Sequence, residues 1–175
     1  MQLITKIQKI SKIKAAWKKI EDEYIHKDYS IPLQRSLVIQ QNYDQFKEKI
    51  IKEGKYQTIG QYFKEERLKP IFYQNNQNNI QNNFAILVND FPYDIQPLQH
   101  FVFWVKPGLE HIYTVERARQ ICEQYFQNVI RLEVFENPTI LKSIPEIQHY
   151  QIFIQFKDES QIYQEEIEKQ MQPKI

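Results

Sequence analysis

At 175 residues, with 42% apolar and 14% aromatic side chains, the chain is long enough for one domain with a real core, and a formal net charge of +1 gives no global pull towards nucleic acid or an anionic membrane. Three glycines argue against Gly-rich phosphate loops and a many-hairpin barrel, while a single cysteine, Cys122, excludes an internal disulfide and any cysteine-rich zinc site. No run reaches the roughly 18 apolar residues that a membrane span needs.

Residues 3–25 carry a helical pattern. Leu3, Ile7, Ile10, Ile13, Trp17, Ile20 and Tyr24 share one face, and Lys9, Lys12, Lys18 and Lys19 lie mainly on the other. Six lysines precede the first acid, Glu21. Three readings fit this segment: a helix packed on the domain with a solvated basic face, a mitochondrial targeting-like segment, or a surface that contacts a membrane or a partner. The lack of arginine and the scarcity of serine count against cleavage, and no apolar core of secretory length follows the basic start.

Ser30-Ile31-Pro32 interrupts this pattern and can begin another helix, with Pro in the first turn. Asn42 or Asp44 can cap a helix running to Glu53, with Gly54 as its stop. Thr58 caps a short helix through Leu68, closed by Pro70. Gln74 to Asn83 is polar and low in complexity and reads as a loop. The apolar period then changes from helical to strand-like. Phe84 to Val88 and Phe101 to Val105 predict two strands around a turn with two prolines. Thr114 caps a helix through Phe126, Val129 to Phe135 and Gln148 to Phe156 alternate as further strands, and Asp158 with Gln161 resembles a capping box for a final helix to Met171. The expected fold class is α+β: N-terminal helices packed on a mostly antiparallel sheet of about four strands, with one inserted and one C-terminal helix. The expected organisation is a single domain, with a helical layer over 1–70, a sheet core over 84–157, and a C-terminal helix and tail over 158–175.

Chemistry concentrates where the first hairpin bends, in Asn89, Asp90 and Tyr93, followed by His100 and Trp104. His100 shares a strand face with Val102 and Trp104, and His149 shares one with Gln151, Phe153 and Gln155. In one sheet, His100 and His149 can approach each other, which suits proton transfer or phosphate contact. A plainer reading has each histidine capping a strand end and Asn89 and Asp90 simply making the turn. Two histidines with no placed carboxylate give too little for a metal site. No cofactor is expected, and Cys122 reads as core.

The run Ile86-Leu87-Val88-Asn89-Asp90-Phe91-Pro92-Tyr93, then His100-Phe101-Val102-Phe103-Trp104, resembles the central motif of a eukaryotic family of unknown function whose fungal members carry the label N-acetylglucosamine-induced protein. Phe135-Glu136-Asn137, Leu141-Lys142-Ser143-Ile144 and Glu146 to Tyr150 resemble further family signatures, so the likeness covers roughly residues 12–157. The label reports an expression behaviour, not a reaction. A more distant resemblance is to the histidine-triad nucleotide hydrolases and transferases, whose last strand carries alternating histidines. Here those positions are His149, Gln151 and Phe153, so the nucleophile position is Gln, and the resemblance implies a non-catalytic relative.

The leading functional expectation is a non-catalytic accessory or scaffold protein, a subunit of a larger protein assembly. The alternative is a binding protein or enzyme for a phosphorylated small molecule, a nucleotide or sugar phosphate. Its pocket would use Asn89, Asp90, Tyr93, His100, Trp104, Asn137, Ser143 and His149, with Tyr93 and Trp104 stacking a base or sugar. Nucleic-acid binding through the lysines lacks interleaved arginine and a recognisable module. The compartment stays open between cytoplasm and mitochondrion.

Overall fold

The computed structural model describes residues 2–30, 32–73 and 82–157. Strands β1 (Phe84–Val88), β2 (Gln99–Val105), β3 (Val129–Phe135) and β4 (His149–Phe156) form one sheet in the order β1-β2-β4-β3, every pair antiparallel. The helices are α1 (Gln2–Tyr24), α2 (Leu37–Lys52), α3 (Ile59–Tyr62), α4 (Lys69–Tyr73) and, inserted between β2 and β3, α5 (Val115–Tyr125). The fold is α+β, as expected.

The central strands β2 and β4 are buried on both faces and accordingly read as near-continuous apolar runs. On one face Phe101, Phe103 and Val105 join Tyr150, Ile152 and Ile154 beneath Ala118, Ile121 and Cys122 of α5. The other face carries two separate apolar patches. Ala85, Leu87, Val102 and Trp104 pack under Leu68 and Phe72 of the α3–α4 arm, and Phe153 packs under Ala16, Trp17 and Ile20 of α1. Polar contacts reinforce α1: Trp17 Nε1 donates to Gln155 Oε1 at 2.9 Å, and the Arg131 guanidinium lies 4.1 Å over the Trp17 ring while pairing with Glu21 at 2.8 Å.

The helical front departs from expectation in three places. Residues 32–36 are not helical, so the helix expected to begin with Pro32 in its first turn is not formed there. Instead Leu33 N donates to the buried Glu23 carboxylate, and Asp94 N donates to Gln34 O at 2.8 Å, tying the segment to the sheet end. Second, α2 starts at Leu37 with Ser36 as its cap, and Asn42 and Asp44 lie inside it; Asp44 takes Gln40 Nε2 at 3.0 Å and Lys47 at 2.9 Å. Gly54, at φ +69°, ends this helix as expected. Third, Thr58 caps α3 as expected, but the chain does not stop at Pro70. A π turn over Phe63–Leu68 leads directly into α4, which runs through Pro70 to Tyr73. Proline has no N–H to offer the α ladder, and a widened turn just ahead of it lets the helix continue. Thr114 caps α5, accepting Arg117 N at 3.3 Å, as expected. The final helix over 158–171 lies outside the described residues, as does the polar loop over 74–81.

Candidate functional site

The two apolar patches on the sheet face opposite α5 leave a polar seam between them. Strand parity builds it. Asn89, just beyond β1, sits opposite His100, its N–H donating to His100 O at 2.9 Å. In β4, His149, Gln151 and Phe153 point the same way as Val102 and Trp104 of β2. Over the seam lies a cleft enclosing about 630 Å³, including the solvent at its mouth. Asn89, Asp90, Tyr93, Trp104, Asn137, Ser143 and His149 all line it.

His100 does not line the cleft; it is buried behind it. Tyr93 N donates to His100 Nδ1 at 3.2 Å, so Nε2 carries the proton and donates to Gln151 Oε1 at 2.6 Å. Both ring nitrogens are spent, and a second proton would face the Tyr93 N–H. Burial pulls the His100 pKa down to about 4, with the Arg35 charge adding to the shift and Gln151 opposing it. His149 is also held below the ordinary histidine range, chiefly by burial. Its Nδ1–H donates to Ile147 O at 2.7 Å.

The two histidines do not approach each other. The register pairs His100 with Phe153 and Trp104 with His149. Four residues along a strand separate them by about 13 Å. Parity placed both on one face; pairing register keeps them apart.

The rings expected to stack a ligand are already covered. Trp104 is sandwiched between Phe63, 5.5 Å away at 27°, and His149 at 4.8 Å. Tyr93 stacks on His100 at 4.9 Å, and Arg35 lies 5.8 Å from its centroid. The Tyr93 hydroxyl accepts Asn137 Nδ2 at 3.3 Å, and Asn137 Oδ1 accepts the Tyr24 hydroxyl, so α1 is wired to the cleft wall. Asn89 Oδ1 accepts Phe91 N at 2.9 Å. The Asn-Asp-Phe-Pro-Tyr segment is thus both a turn network and a cleft wall.

Two cleft residues escaped the sequence reading, Arg35 and Arg67. Arg67 pairs with Asp90 at 2.9 Å. Arg35, half-buried, donates from Nε to Phe91 O at 2.9 Å and lies 4.3 Å over the Tyr43 ring, with no carboxylate in ion-pair distance among the described residues. The available signal was scarcity: a lysine-rich chain has only five arginines, and two of them meet here. Gln151, read only as a degenerate histidine position, is buried in the cleft floor and fixes His100. Cys122 is remote, beneath α5, and burial pushes its thiol up to about 12. Among the described residues no group of three potential ligands could hold a metal ion, and no helix is long and apolar enough to cross a membrane.

Over residues 16–155 the chain matches the family described as "Protein of unknown function (DUF3605)", and it belongs to that family. The match spans every cleft residue named above. No curated protein matches the chain. A solved structure described as "Crystal Structure of HTC1" is similar, with a TM-score of 0.54 and 20% identity over 88% of this chain and 91% of that one. At that identity the likeness speaks for the fold alone.

Proposed function

We propose that this member of the DUF3605 family is a non-catalytic binding domain whose cleft takes a small phosphorylated ligand. The observation that carries this reading is Arg35: a half-buried guanidinium, facing a cleft, whose hydrogen-bond partners are the neutral Phe91 O and Gln40 Oε1, with no carboxylate in ion-pair distance among the described residues. A partly desolvated cation with only neutral partners keeps its charge uncompensated, and a bound anion would compensate it. Arg67, held by Asp90 through one nitrogen, has donors to spare, and two guanidinium groups against one carboxylate suit a dianionic phosphate ester. Covered aromatic faces favour a ligand without a nucleobase to stack.

Binding without turnover is supported by the side chains themselves. His100 has no free nitrogen, Cys122 is remote, and on the histidine-triad resemblance the nucleophile position is Gln151, which cannot carry a phosphoryl group. The likeness to the fungal N-acetylglucosamine-induced proteins adds no chemistry of its own. Thermal shift with millimolar inorganic phosphate, sugar phosphates and nucleotides tests the proposal. A ligand at 100 times its dissociation constant adds about 2.7 kcal/mol, or about 5–10 °C for a chain of this size. No shift across the panel would overturn it.

A second reading, compatible with the first, is an accessory subunit of a larger assembly. It is supported by the first described turns of α1, where Ile7 is 57% and Ile10 45% exposed on a lysine-rich helix. Native fractionation with mass spectrometry of co-migrating proteins tests it; a free monomer of about 21 kDa counts against it.

A further inference from the structure

We infer that the ligand carries a hydroxyl beside its phosphate, so that the cleft selects phosphorylated sugars and polyols over simple phosphate esters; this deepens the anion-binding reading and rests on it. The geometry of His149 points there. Its Nδ1–H is committed to Ile147 O at 2.7 Å, and the Trp104 ring, 4.8 Å away, holds the imidazole plane. That tautomer leaves a lone pair on Nε2. Among the described residues Nε2 has no hydrogen-bond partner, and no side-chain nitrogen or oxygen is both fully buried and unpartnered, so Nε2 keeps access to the cleft it lines.

Nε2 is therefore a neutral acceptor in the same cleft as two guanidinium groups. A dianionic phosphate ester has no proton to offer it. A hydroxyl does, and donates without adding charge. An ammonium would also donate, but would set a third cation beside Arg35 and Arg67. Of the buried or half-buried acceptors of the seam, Asn89 Oδ1 takes Phe91 N, Asn137 Oδ1 takes the Tyr24 hydroxyl and Gln151 Oε1 takes His100 Nε2, while Asp90 and Ser143 stand exposed at the mouth, Asp90 paired with Arg67. His149 is thus the buried, uncharged acceptor positioned to read the part of the ligand beyond its phosphate.

The test compares dissociation constants of the full chain for glucose 6-phosphate, ribose 5-phosphate and glycerol 3-phosphate with that for methyl phosphate, a monoester without a hydroxyl. One net hydrogen bond gives the best polyol phosphate an advantage of about three- to tenfold. His149→Asn presents an amide to Ile147 O but no acceptor at the Nε2 position, and lowers that ratio towards one; His149→Gln, which can place an acceptor near Nε2, restores part of it. Arg35→Gln weakens both ligand types together. Equal affinity of wild type for methyl phosphate and the polyol phosphates overturns this inference and leaves the anion-binding reading standing. So does a ratio that His149→Asn does not change. Failure of all four to bind overturns the reading beneath it. Should His149→Asn not fold, the wild-type ratio and the His149→Gln variant decide.

Discussion

Acid sensitivity should be traceable to His100. In the unfolded chain its imidazole takes a proton near pH 6.5; in the folded chain burial holds it neutral down to about 4. Between those values the unfolded state binds the extra proton, so stability falls as pH falls, by about 1.4 kcal/mol per unit. Above pH 6.5 the contribution is complete, and below about 4 it is gone; the total is about 3 kcal/mol. The geometry supports the sign independently, because Nδ1 already accepts the Tyr93 N–H and cannot take a proton without breaking that bond. His100→Gln is the informative perturbation. Its carbonyl can accept the Tyr93 N–H and its amide can donate to Gln151 Oε1, so the network survives without titrating. Urea denaturation from pH 7.5 to 4.5 should give a steeper loss for wild type than for His100→Gln, with the two diverging below pH 6.5. His149, whose pKa is lowered too, remains in both and cancels. Parallel profiles, or a steeper loss in the variant, would refute the reasoning.

Three further outcomes are expected. Gln151→Leu strands the buried His100 Nε2–H and should cost about 1–3 kcal/mol in urea denaturation at pH 7.5, where a neutral result would contradict the assigned tautomer. Ile20→Ala, at a fully buried position between α1 and the sheet, should cost about 2–5 kcal/mol; a loss under 1 kcal/mol would show that α1 is not part of the cooperative core. Arg35→Gln should abolish the phosphate-dependent thermal shift, while Arg117→Gln, on the exposed side of α5, should keep it; equal loss in both would indicate nonspecific charge.

The sheet was legible because its signals are local. Val129 to Phe135 alternates and lies on the edge of the sheet, and Thr114 caps α5 where a Ser/Thr cap was expected. The start of α2 was not legible. Leu37 and Val38 are 74% and 63% exposed, so the apolar period is silent there, and Ser36, Asn42 and Asp44 are equally competent caps by type. Pro70 is a stop by local rules, but burial of Leu68 and Phe72 on either side carries the helix through it by way of a π turn. In the site, alternation showed which neighbours share a strand face with His100 and which with His149, whereas only the pairing of Trp104 with His149 shows that the two histidines look the same way and how far apart they stand. Neither Arg35 nor Arg67 stands in a spacing that marks a binding site; Arg67 falls only within Glu66-Arg67-Leu68, a weak helical signature of the family resemblance. The irregular segment before α2 and the π turn deliver them to the strand ends from distant stretches of chain.

The most direct measurement is a heteronuclear NMR titration of the full chain with inorganic phosphate and then glucose 6-phosphate, at constant ionic strength, following the arginine Nε–H and backbone amide signals. Saturable shifts at Arg35 Nε–H and at the Asn89, Tyr93 and His149 amides, with the other surface amides still, are what the account predicts. Shifts confined to the lysine-rich face of α1, or none at any concentration, would contradict it.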